Sequence, residues 1–101
     1  MPAPTILIVE DDVAIREMLR FVLQQENFDI VEAEDAEYAQ AQIDLIHPSL
    51  ILLDWMLPGI SGVEFARRLK RGARTRNIPI VLITARGEET DKVKGLESGA
   101  D

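Results

Sequence analysis

Cysteine is absent from the 101 residues, so a disulfide scaffold and thiolate metal sites are both excluded, and a cytoplasmic setting fits. Aromatic residues are scarce and scattered: Phe21, Phe28, Tyr38, Trp55 and Phe65 suit core or rim packing better than base stacking. Basic charge is in short supply, with 11 Lys and Arg against 18 Asp and Glu. The resulting net charge of −7 argues against the whole domain wrapping nucleic acid, because binding phosphates needs local basicity. No apolar run approaches the ~20 residues that span a bilayer, and no charged-then-apolar leader opens the sequence. No GxGxxG or P-loop pattern occurs; Gly59 and Gly62 serve a turn and a helix start. The only histidine, His47, stands before Pro48 where it would end a helix. What remains is one acidic domain over residues 1–101, 47% apolar and able to bury a core.

Four short apolar runs recur, at 5–9, 29–33, 50–53 and 80–84. The first, third and fourth are continuous, as in strands covered on both faces. The second alternates Val31 and Ala33 with Glu32 and Glu34, which predicts an edge strand with one side wet. Segments of helical period lie between them. Ile15, Leu19, Val22 and Leu23 form one apolar stripe, with Arg16, Glu17, Arg20 and Gln24 away from it. Ala36, Ala39 and Ile43 repeat the pattern, as do Val63, Ala66 and Leu69. Asp12 and Asp35 stand at N-cap positions, Ser61 with Glu64 makes a capping box, and Gly99 follows a fourth helical segment at 92–98. Six of the eleven basic residues crowd between Arg67 and Arg76. They read either as a solvated helix end that suits the dipole or as a docking patch for an acidic partner.

Strict strand–helix alternation implies an α/β, doubly wound parallel sheet with right-handed crossovers. Such a sheet places its ligand at the carboxyl ends of the strands. Two of those ends run straight into acid: Glu10, Asp11 and Asp12 after the first strand, Asp54 after the third. On neighbouring strands ~4.8 Å apart, these carboxylates would raise one another's pKa unless a cation shared the space. An all-oxygen set with few protein ligands favours Mg²⁺, which keeps waters and leaves room for a phosphate. Asp54, at the end of LILLD, is held by rigid sheet and can attack phosphorus. Thr84, closing the fourth strand, could donate its hydroxyl to a phosphoryl oxygen.

The sequences VEDD, LLDWMLPGISG and ITARG, after strands one, three and four, together resemble the receiver domains of response regulators. Residues 50–59 and 84–89 are most similar to the phosphate-regulon (PhoB-like) branch of the OmpR/PhoB group. The resemblance implies a flavodoxin-like (βα)₅ fold with Asp54 as phosphoacceptor. It implies Mg²⁺ held by Asp11 and Asp54 directly, by the Met56 main-chain carbonyl, and by Glu10 through water. Thr84 would be the switch hydroxyl. Lys92, Glu97 and Asp101 would match the fourth-helix face through which that branch dimerises when phosphorylated. The implied partners are a sensor histidine kinase and, for DNA, an output domain absent from these residues; no membrane is implied.

Glu10 departs from the commoner Asp, and its extra methylene favours an indirect metal contact. The chain also stops before the family's fifth strand, fifth helix and phosphoryl-contacting lysine. If it truly ends there, its fourth strand is an open apolar edge expected to self-associate. Two other readings compete. A haloacid-dehalogenase-like phosphatase would want a second Asp where Met56 stands. A pseudo-receiver would signal without phosphorylation and would tolerate Asp54→Ala. Neither the receiver nor the pseudo-receiver is a turnover enzyme.

Overall fold

The computed structural model describes residues 4–83. Among them the chain runs β1 (Thr5–Val9), α1 (Val13–Gln24), β2 (Asp29–Ala33), α2 (Ala36–Ile46), β3 (Leu50–Asp54), α3 (Gly62–Arg71) and β4 (Ile80–Ile83). Each helix begins where a short polar side chain takes an orphan backbone donor. Asp12 accepts from Ile15 N, Asp35 from Tyr38 N and Ser61 from Glu64 N. His47 closes α2 in the left-handed region at φ 49°. The basic residues in the last turn of α3 complement the helix dipole, and Glu64 pairs with Arg67 and Arg71, which supports the helix-end reading of that cluster.

All strand pairs are parallel, in the order β2-β1-β3-β4, so β2 is an edge as its alternation predicted. The helices divide between the two faces. Leu7, Val9, Ile51, Leu53 and Ile80 pack with Ala39 and Ile43 of α2 and Phe65, Ala66 and Leu69 of α3 in one core. Ile6 and Ile8 alternate to the other face, which α1 covers, and are also buried. This is a flavodoxin-like, doubly wound architecture. It reverses direction between β1 and β3: α1 carries the chain from β1 out to β2, and α3 carries it from β3 out to β4. The crevice at such a reversal is where a doubly wound sheet takes its ligand.

Two expectations need correction. The stripe on α1 is rotated: Ile15, Leu19 and Leu23 are half-buried, whereas Val22 is 53% exposed. Arg16 and Arg20 are not turned away from the sheet, because both pair with Glu32 on β2. That acid draws both guanidinium groups toward β2. Thr84, Lys92, Glu97, Gly99 and Asp101 lie outside the described residues.

Candidate metal centre

The β1–β3 register builds the site. Val9 is paired with Leu53, so the next step along both strands sets Glu10 beside Asp54. Glu10 still belongs to the sheet, since its N–H donates to Ala33 O at 3.0 Å on β2. Asp54 is the last residue of β3, and Trp55 N–H donates to Ile83 O at 2.9 Å on β4. Both acids are therefore fixed by ladders on their outer sides, and Asp11 follows directly. One carboxylate oxygen from each of Glu10, Asp11 and Asp54 lies within 4.8 Å of the others. Glu10 and Asp54 are only 2% and 7% exposed, whereas Asp11 faces solvent. Asp12 stays out of the cluster, its side chain occupied as the N-cap of α1.

Burial is the main force on both inner acids, and it pushes both pKa values up. Glu10 is raised to about 7; burial and neighbouring Asp54 raise it, and a bond from Asp12 N–H at 3.1 Å partly opposes them. Asp54 is raised by burial and by the charge of Asp11, and is held back by hydrogen bonds from Glu10 and the Met56 N–H. With both side chains buried side by side, it is costly for the two to be ionised at once. Two buried acids lifted in this way, with an exposed third alongside, form an all-oxygen donor set. The residues fit a hard divalent cation. Met56 has an exposed side chain, and its backbone N–H donates to Asp54.

The loop after Asp54 turns sharply enough to keep α3 close. Gly59 takes φ +85°, and Gly62 N–H donates to Trp55 O at 2.8 Å. A Cβ at Gly62 would lie 2.0 Å from Asp54 O, so only glycine can start α3 against the end of β3.

Arg16 was not singled out from the sequence. Its guanidinium donates to Glu10 O at 2.8 Å and to Glu32 Oε1 at 3.1 Å, tying the acidic loop to β2. Only the strand register reveals that Glu32 stands within its reach.

The raised Glu10 gives a pH prediction. Its folded pKa of about 7 exceeds the ordinary 4.5, so the folded protein holds more protons than the unfolded one between those values. Glu10 thus contributes stability that is present below about pH 4.5 and lost as pH rises through about 7, of order 3 kcal/mol. Without divalent cations, thermal unfolding should show the wild type losing stability relative to Glu10→Gln across this window. Added Mg²⁺ should stabilise the wild type more at pH 7.5 than at pH 5.

The response regulator receiver domain model matches residues 6–101. The Escherichia coli phosphate regulon transcriptional regulatory protein PhoB is 59% identical over 99 residues, covering 98% of this chain and 43% of that protein. The chain thus spans less than half the length of the curated relatives it matches. Among solved structures, chemotaxis response regulator CheY4 of Vibrio cholerae matches with TM-score 0.86 at 26% identity, covering 97% of this chain and 82% of that one. The Mn²⁺-bound form of response regulator Rcp1 matches with TM-score 0.83 at 27% identity, covering 97% and 77%. On sequence and on fold alike, this chain belongs to the response regulator receiver domain family.

Proposed function

We propose that this chain is the phosphoacceptor of a two-component system, taking a phosphoryl group from a sensor histidine kinase onto Asp54. The observation that carries this reading is the strand-end cluster of Glu10, Asp11 and Asp54 at the reversal point of the sheet. A carboxylate oxygen of Asp54 attacks phosphorus of a phosphohistidine; the new O–P bond forms as the P–N bond breaks, and the imidazole leaves with a proton. Asp11 and Asp54, the Met56 carbonyl and, through water, Glu10 are the residues that would hold Mg²⁺. Bound there, the ion offsets charge on the transferring oxygens. The Mn²⁺ in Rcp1 supports a divalent site on this fold.

The chain's own part is alignment. The β3–β4 ladder holds Asp54 at the floor of the crevice, and exposed Asp11 leaves one side open to an incoming donor. Thr84 is the proposed switch hydroxyl. Phosphorylation would then bias the face carrying Lys92, Glu97 and Asp101 toward a homodimer. The transcriptional regulatory protein PhoB and the DNA-binding transcriptional regulator RpaA, both relatives, support an attached output domain that acts on DNA; a cytoplasmic setting is part of the same proposal. The domain would direct its own phosphorylation and dephosphorylation without turning over a soluble substrate.

Incubation with acetyl phosphate or a phosphorylated kinase core, followed by intact-mass and peptide mapping, tests the reading. One phosphoryl group should appear on the peptide containing Asp54, and chelation of divalent ions should suppress it. Undiminished labelling with chelator, or labelling elsewhere, would refute it.

A further inference from the structure

We infer that Arg16 is a positioning residue for the metal site, a strut that holds the acidic loop at a fixed height above β2; the inference rests on the metal reading above. Glu10 makes the last bond to β2 through its N–H and Asp11 leaves the sheet directly after it, so their carboxylates are only as well placed as the backbone between the ladder and α1. Arg16 is one helical turn past the N-cap Asp12, and its N–H donates to Asp12 O at 3.0 Å within the first turn of α1. From there its guanidinium reaches back to the Glu10 carbonyl at 2.8 Å and sideways to Glu32 Oε1 at 3.1 Å. Its side chain is only 17% exposed, and Glu32 is gripped from a second side by Arg20.

A planar fork with two separately directed donors suits this task, and an ammonium does not. The strut fixes the Glu10 carbonyl, which in turn sets the turn that lets Asp12 N–H bond to Glu10 Oε2 at 3.1 Å. Through these links Arg16 acts on carboxylates it does not neutralise. Partners one step removed from a metal's ligands commonly change affinity by about 10- to 100-fold.

The sign of the effect separates this role from plain electrostatics. Removing a cation beside an acidic site should tighten Mg²⁺ binding if charge alone matters. The strut predicts the reverse. Calorimetric titration of the intact protein with MgCl₂ should show Arg16→Ala binding about tenfold more weakly. Arg16→Lys keeps the charge and the stem but has one donor head, and should also bind more weakly, by about threefold. Hydrogen exchange at the Asp12 amide, measured without metal, should speed up in both variants while the global unfolding midpoint of Arg16→Lys stays near wild type. Wild-type affinity in Arg16→Lys with unchanged Asp12 exchange, or tighter binding in Arg16→Ala, would overturn the strut. A wild-type protein that takes up no Mg²⁺ would overturn the metal role, and the exchange measurement would then show on its own whether the loop is braced.

Discussion

Asp54→Asn should abolish phosphoryl acceptance, lowering the labelling rate by more than ~10³-fold, because the amide has no carboxylate oxygen to attack phosphorus. The control is Asp12→Asn. Asp12 caps α1 and lies outside the cluster, and asparagine caps almost as well, so labelling should persist. Asp54→Asn should also raise the metal-free melting temperature by several degrees near pH 7.5, since it removes a buried carboxylate lifted by desolvation and by Asp11. Most of the stabilisation by Mg²⁺ should vanish with it. A variant that labels like wild type would move the acceptor to another acid. A variant destabilised without metal would mean that the crowding at Glu10 and Asp54 is already relieved within the protein.

Gly62→Ala carries the second large effect, and it operates through the backbone. The added methyl would sit 2.0 Å from Asp54 O, 2.9 Å from the carbonyl carbon and 3.0 Å from Trp55 Cα, all main-chain atoms that cannot rotate away. Either α3 moves off the sheet or β3 gives way at the acceptor. The first choice opens the contact of Phe65 and Leu69 with the core; the second displaces Asp54. We expect a loss of about 3–4 kcal/mol in urea unfolding, together with slow phosphorylation of the remaining folded protein. Gly59→Ala gives the contrast. It has nothing within 4 Å, and its cost should be only that of a positive φ, about 1 kcal/mol, with labelling retained. Equal stability of Gly62→Ala and wild type would show that the helix start has slack that this structure lacks.

Much of this arrangement could be read from the residues in order. The LILLD run ends in the acceptor because a strand covered on both faces is apolar until it leaves the sheet, and the first charged residue marks that exit. Asp12, Asp35 and Ser61 were recognisable as caps because capping depends on a three-residue spacing that sequence displays directly. The edge position of β2 followed from its alternation. Contacts set by register were harder to read. Nothing along the chain says that Glu32 stands opposite Ile8 on β1, beneath a turn of α1, and so Arg16 and Arg20 were placed on the outer face. Gly62 was legible as a helix start, but the need for glycine there comes from the backbone of Asp54, eight residues earlier. The roles of Lys92, Glu97 and Asp101 rest on resemblance alone, whereas Thr84 was also legible from its place at the end of the fourth apolar run.

The account depends on two strand ends sharing one divalent ion. Diffraction from crystals soaked in Mn²⁺, with anomalous scattering used to locate the metal, examines this most directly. One strong peak is expected at roughly 2.0–2.3 Å from carboxylate oxygens of both Asp11 and Asp54 and from the Met56 carbonyl, with Glu10 linked through a water. A crevice that stays empty at millimolar Mn²⁺, or a metal bound by Asp11 and Asp12 with Asp54 turned away, would contradict it.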